Sequence, residues 1–359
     1  TWSALSAVPA WIVKKSQRMR CRRQHPRHPL TRACGPCPVN ACWIQDLCSN
    51  TLIPHFSPTF NLKPQTMQAL PFLLERANER PIHGRWHLPS ADAKGTVLFL
   101  HGYKGYMDWG AWGYVGDTFA QNGWRFLRIN FTHNGTTAAQ PKAFVDLEGF
   151  AANTYSRELE EATAVLHALR EEGTWPDPTA TSKPLSIMGH SRGGGIACLA
   201  AAEADNPLKR QGKQGIHSLI TWAAVADFGS RFPTGAALKN WEQSGELEVI
   251  NHRTRQRLWH NWSFREDFES QTRRLNIEQA VRQFSGRTFI AHGTDDAAVD
   301  QTHAERLATW AQHPTLMMGE EMGHTFGAKE PWTEPVLPPA LEAVTQTTLH
   351  FLEEGRAVQ

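Results

Sequence analysis

The chain has 359 residues, 40% hydrophobic and 20% charged, with a formal net charge of +2. That is an ordinary globular composition, long enough for one large domain with a sizeable core. The charge is unevenly spread: residues 1–66 hold nine Lys and Arg against one acid, Asp46, and so carry +8 against −6 for the remainder. The mildly acidic remainder argues against a nucleic-acid surface there.

Residues 1–66 also hold eight of the 22 prolines and five of the six cysteines. They show no sustained period of 2 or 3.6. They are expected to be a disordered or non-native leader, with a folded domain over 67–359. Cys34-Gly35-Pro36-Cys37 has redox spacing, but no βαβ pattern surrounds it. Cys34, Cys37, Cys42 and Cys48, with His25 or His28, do not repeat a zinc-ribbon spacing. The basic run from Lys14 to Arg32 lacks the aromatic interleaving of a nucleic-acid contact. No apolar run reaches the ~18 residues of a membrane helix. With one cysteine, Cys198, in the folded part and no secretion signal, a cytoplasmic location is expected.

In chain order, Phe72-Leu73-Leu74 and Ile82 to Leu88 read as an antiparallel opening of the sheet, turned at Asn78 to Pro81. Thr96 to Leu100 reads as a central strand, running into His101-Gly102-Tyr103-Lys104-Gly105. Trp112 to Asn122 reads as a helix ended by Gly123, and Trp124 to Phe131 as the next strand. Asn153 to Glu172 carries one apolar stripe, Leu159, Ala162, Val165, Leu166 and Leu169, and reads as a helix. Pro184 to Met188 is an apolar strand ahead of Gly189-His190-Ser191-Arg192-Gly193, and Gly194 to Ala204 is a small-residue helix. Ile216 to Val225 is a strand. Arg287 to Ala291 is another, running into His292-Gly293-Thr294-Asp295-Asp296. Asp300 to Gln312 is a helix, and Thr315 to Met318 leads to Glu320-Glu321-Met322-Gly323-His324-Thr325-Phe326. Strands alternating with helices predict a parallel sheet with right-handed crossovers.

Gly189 to Gly193 is the most informative segment. Gly-x-Ser-x-Gly between a strand and a helix is a nucleophile elbow: the turn is too tight for bulk two residues either side of the serine. The serine hydroxyl stands clear of the sheet, near the positive end of the next helix. A serine, an acid and a histidine each follow an apolar strand, in the order Ser, Asp, His of an α/β-hydrolase triad. Ser191 needs a base, and His324 is placed to serve; His303 and His313 fall on or at the end of a helix and are expected at the surface. His101, His190 and His292 sit inside turns, where packing and hydrogen bonding are expected of them. The acid is Asp295 or Asp296, while Asp300 reads as a helix N-cap. The N–H of Arg192, next to the serine, is one candidate oxyanion donor.

From about Met67 onward the chain resembles an α/β-hydrolase of the dienelactone-hydrolase-like serine esterase group. The resemblance rests on His101 to Gly105, Gly189 to Gly193, His292-Gly293-x-x-Asp296 and Gly323 to Phe326. It implies an α/β fold with a mostly parallel central sheet flanked by helices. It selects Asp296 as the acid and Tyr103 as the second oxyanion N–H. It also implies that the aromatic-rich insertion 227–285 forms a helical cap over the serine. Trp259 and Trp262 are its expected substrate contacts, and Arg253 to Arg274 is expected as a solvated helix face. The function implied is cleavage of a small-molecule carboxylic ester through Ser191, His324 and Asp296, with no metal or organic cofactor, no nucleic acid and no membrane. A thioesterase or peptidase would use the same triad; a hydrolase-like binding protein would have lost a member of it.

Overall fold

Strand formation follows the β-branched and aromatic runs that the sequence places between turn residues. The computed structural model describes residues 12–15, 69–171 and 180–356. The cysteine cluster and most of the basic run lie outside them. The strands are β1 (Ile12–Lys15), β2 (Leu70–Leu74), β3 (Ile82–His87), β4 (Thr96–Leu100), β5 (Arg125–Ile129), β6 (Leu185–His190), β7 (Ser218–Trp222), β10 (Arg287–Gly293) and β11 (His313–Gly319). They form one sheet in the order β1-β11-β10-β7-β6-β4-β5-β3-β2. β5, β4, β6, β7, β10 and β11 run parallel, and β1, β2 and β3 pair antiparallel at the two edges. Ile12–Lys15 gave no strand signal in the sequence; its backbone pairs with β11 all the same, Ile12 opposite Met318.

β4, β5, β6 and β7 are buried along their whole length, as expected of strands covered on both faces. Alternate residues feed two cores. Leu98, Leu100, Ile187, Leu219 and Ile290 face α3 (Tyr155–Ala168), α4 (Arg192–Arg210), α7 (Ile277–Gln283) and α8 (Thr302–Trp310). Val97, Phe99, Met188, Ile220 and Phe289 face α1 (Trp112–Gln121) and α9 (Pro339–Arg356). Among the described residues no helix is long and apolar enough to cross a membrane.

The insertion after β7 is not purely helical. It holds α5 (Gly235–Ser244), a hairpin of β8 (Glu246–Asn251) and β9 (Gln256–Asn261), α6 (Ser263–Ser270) and then α7. Glu-Leu-Glu-Val alternates polar and apolar, a period of two that dictates a strand rather than a helix. The stretch from Arg253 to Arg274 is therefore a turn, a strand and a helix, not one helical face. Its aromatics build a core on α3: Phe228 stacks on Tyr155 at 3.9 Å, and Phe232 and Phe264 surround the same ring. A further short helix, α2 (Leu147–Ala151), precedes α3.

Candidate active site

Ser191 joins β6 to α4 with φ 56 and ψ −120, a conformation that side chains rarely adopt. Its neighbours impose it. A Cβ on Gly189 would lie 2.1 Å from Gly193 O, and one on Gly193 would lie 2.4 Å from His101 O. Only glycine lets β6, α4 and the end of β4 approach so closely. The strained turn is held by Ser191 N–H donating to Trp222 O at 2.9 Å and by Val225 N–H donating to Ser191 O at 3.1 Å.

The ends of three parallel strands converge here. The Ser191 hydroxyl faces His324 Nε2 at 3.0 Å, and His324 Nδ1–H donates to Asp296 Oδ2 at 2.8 Å. Asp296 is locked in place: its Oδ1 accepts from the N–H groups of Ala298 (2.8 Å) and Val299 (2.9 Å). His292 Nε2 adds a second contact to Oδ2 at 3.2 Å. Burial by itself would raise the Asp296 carboxyl, but the bonds from His292 and His324 outweigh it and hold the group well below the usual carboxylate range. Asp295, by contrast, is exposed, and among the described residues its carboxylate accepts from the Thr294 hydroxyl at 3.4 Å and not from His324. Of the two candidate aspartates, Asp296, the one that the resemblance selects, faces His324 and Asp295 does not.

The turn histidines carry packing and hydrogen bonds. His190 Nε2–H donates to His324 O at 2.9 Å, fixing the backbone of that loop. Burial, with His324 nearby, pushes His190 to about 3. Burial pushes His101 to about 4; its ring bonds Gly102 O at 2.9 Å and accepts from Phe131 N–H at 3.3 Å. His303 is not a free surface group: it is half-buried and accepts the Ala226 N–H at 2.8 Å. His313 is exposed. Asp300 accepts from Thr302 N–H at 2.9 Å, just ahead of α8.

Tyr103 and Arg192 flank Ser191, and neither backbone N–H meets an acceptor among the described residues. The Tyr103 loop is held from beneath by β5. Arg128 donates to Met107 O and, at 2.8 Å, to Asp108 Oδ1. Asn130 Oδ1 accepts from Met107 N–H at 2.6 Å. The side chains of Tyr103 and Arg192 also meet, with Arg192 Cζ 4.1 Å from the Tyr103 ring centroid. Arg192 Nη1 donates to Glu158 Oε1 at 3.3 Å.

Trp259 and Trp262 are not brought against this group. Trp262 packs edge-on against Trp241 at 5.3 Å, inside the cap. On β9, Leu258 and His260 are buried while Trp259 takes the opposite face, because successive side chains of a strand alternate. The cap side chain that hydrogen-bonds Tyr103 is His260, whose Nε2 lies 2.7 Å from the Tyr103 hydroxyl. Sequence reading missed it, and missed Glu158 and the contact of His292 with Asp296. Only His292 left a trace, four residues before Asp296 in the same turn. Among the described residues no group of three or more His, Cys, Asp or Glu is placed to hold a metal ion. A cavity of about 640 Å³ opens elsewhere, lined by Phe72, Arg85, Asn130, Thr136 and Val145 among others, and Ser191 is not part of its wall.

A mostly parallel sheet with a nucleophile-type elbow on its central strand, and an acid and a histidine after the next strands, defines the α/β-hydrolase class. A family model described as the alpha/beta hydrolase fold matches residues 149–328, and the chain belongs to this family of enzymes. No curated protein matches the chain. Its fold is similar to that of a putative hydrolase from Agrobacterium vitis S4, at 19% identity and a TM-score of 0.57, covering 79% of this chain and 98% of that one. It is also similar to a soluble variant of monoglyceride lipase from Saccharomyces cerevisiae, at 14% identity and a TM-score of 0.57, over 81% and 97% of the two chains. Est1E from Butyrivibrio proteoclasticus matches at 17% identity and a TM-score of 0.54, over 80% and 99%.

Proposed function

We propose that the protein is a serine hydrolase that cleaves small-molecule carboxylic esters through an acyl-enzyme. The observation that carries the reading is the continuous chain Ser191 Oγ, His324, Asp296, with contacts of 3.0 and 2.8 Å. A serine hydroxyl is a weak nucleophile until an adjacent base takes its proton. His324 Nε2 accepts that proton as Ser191 Oγ attacks the ester carbonyl. The tetrahedral oxyanion is received by the backbone N–H groups of Tyr103 and Arg192. The C–O bond to the leaving group then breaks, and His324 returns the proton to the departing alcohol. Water repeats the cycle on the acyl-enzyme, releasing the acid and restoring Ser191. Asp296 stays ionised, keeps the His324 proton on Nδ1 and stabilises the imidazolium.

Every residue in this scheme lies between Tyr103 and His324, so the activity is assigned to the part of the chain after Met67. A fluorophosphonate probe should label the wild type and not Ser191→Ala. A panel of p-nitrophenyl esters, with thioester and peptide substrates beside it, ranks the leaving groups. Undiminished labelling of Ser191→Ala would remove this serine from the mechanism.

A further inference from the structure

An oxyanion hole works only if its two donors lie at a fixed distance from one developing oxygen. Here the donors come from unlike places. Arg192 is the first residue of α4, set by the elbow. Tyr103 sits in a turn after β4, where the next residue, Lys104, takes φ 54 and Gly105 N–H closes back on Gly102 O at 3.1 Å. The parallel ladder of β4 on β6 ends at Leu100 opposite Gly189, before either donor, and does not by itself fix their spacing.

Their side chains do. The Arg192 guanidinium lies 4.1 Å from the Tyr103 ring centroid, a cation–π stack of a kind that gains strength when desolvated. Arg192 is fixed from behind by Glu158 and faces the rings of Tyr155 and Phe264 at 5.0 and 5.4 Å. Tyr103 is fixed from the cap. His260 sits 157 residues away in sequence, stacks beside the Tyr103 ring at 5.6 Å and holds its hydroxyl at 2.7 Å. His260 is itself sandwiched by Phe150 and Phe264, each at 4.9 Å. A second tie runs alongside, with Lys104 Nζ donating to Ile250 O at 3.0 Å.

Packing alone does not account for a histidine at this position. His260 is 3% exposed and, among the described residues, its Nδ1 has no hydrogen-bond partner. An orphaned buried nitrogen carries a desolvation cost that phenylalanine would avoid. What histidine adds over phenylalanine is the bond to the Tyr103 hydroxyl.

We propose that His260, on the cap hairpin, is a positioning residue: by holding the Tyr103 hydroxyl it fixes the Tyr103–Arg192 stack and thereby the spacing of the two oxyanion donors. The cap then contributes to turnover. The proposal rests on the assignment of Ser191 as nucleophile and of those two N–H groups as donors.

The test uses p-nitrophenyl acetate, whose acyl group is too small to reach a cap. Kinetic constants are normalised to active sites counted with a fluorophosphonate. His260→Phe and Tyr103→Phe should each lower kcat by about ten-fold, a fraction of the loss from deleting a donor outright. KM should move less than about twofold, since the loss is confined to the transition state. The double variant should lose no more than either single one, because both delete the same bond. His260→Gln, whose amide oxygen can accept from the hydroxyl, should recover most of the loss. Tyr103→Phe retains a ring that can meet Arg192 and removes only the hydroxyl that pins it, so it decides the matter if His260→Phe folds poorly. An unchanged kcat in Tyr103→Phe, or a change confined to KM, overturns the proposal while leaving the nucleophile intact. Wild-type protein that neither hydrolyses acetate nor takes the probe refutes the Ser191 assignment, and the proposal with it.

Discussion

Replacing Asp296 by Asn changes one atom in the site and is expected to stop turnover while leaving the fold nearly intact. The carboxylate is an acceptor on every side. Oδ1 takes two backbone N–H groups at 2.8 and 2.9 Å, and Oδ2 faces His324 Nδ1 at 2.8 Å and His292 Nε2 at 3.2 Å. An asparagine must keep its carbonyl oxygen on the backbone donors, which turns its NH₂ toward two ring nitrogens. His324 then relieves the donor–donor clash by moving its proton to Nε2, the atom that has to accept from Ser191. The wrong tautomer in an otherwise preserved triad lowers kcat by about 10⁴-fold, or about 5.4 kcal/mol of transition-state stabilisation. The assay is p-nitrophenyl acetate turnover per folded molecule, with a thermal melt to exclude unfolding. Asp295→Asn is the control: the side chain is exposed and outside the chain of bonds, so turnover should stay within about twofold. Asp296→Asn retaining more than about a tenth of wild-type turnover, or Asp295→Asn losing more than it, would refute this assignment.

Gly193→Ala should be severely destabilising, because its Cβ would sit 2.4 Å from His101 O and 2.5 Å from Leu100 O, both backbone atoms that cannot swing away. The expected loss is about 3 kcal/mol, and a melting temperature within about two degrees of wild type would show that the elbow has more room than these distances allow. Stability should also fall in mild acid. Burial pushes His101 to about 4 and His190 and His260 to about 3, so all three are kept neutral in the folded state. Their contribution is complete above the unfolded value of about 6.5 and is lost as pH falls from there toward the folded values, at about 1.4 kcal/mol per pH unit for each group. Thermal melts between about pH 7 and 5 measure this, in a window above most carboxylate titrations; a flat profile would mean that these rings take up protons in place.

The elbow was legible because its determinants are local. Two glycines around Ser191 are required by contacts with Gly193 O and His101 O, and the strand and helix that flank it announce themselves by period. The alternation of strands and helices predicted the parallel sheet for the same reason: strands buried on both faces are largely apolar, with exceptions such as Arg125 and Arg128 of β5. Element ends moved by a few residues, as for α3 (Tyr155–Ala168) against an expected Asn153 to Glu172, since helix ends depend on caps such as the Thr154 hydroxyl rather than on the apolar stripe.

Questions that turn on side-chain direction were decided by tertiary structure alone. Residue pattern left Asp295 and Asp296 both open and only the resemblance favoured Asp296; it is the fold of the turn, with Ala298 and Val299 N–H groups gripping Oδ1, that turns Asp296 toward His324. In the cap, richness in tryptophan drew attention to Trp259 and Trp262, yet strand parity puts His260 and not Trp259 on the face toward Tyr103. A residue 157 positions from its partner leaves no pattern in the sequence by which to find it. The chain by itself determines which segments become strands and helices and where a serine can be held in a strained turn, because those depend on neighbours within a few residues. It leaves to the folded molecule which aspartate faces His324 and which cap residue reaches Tyr103, because those depend on contacts between segments that only packing brings together.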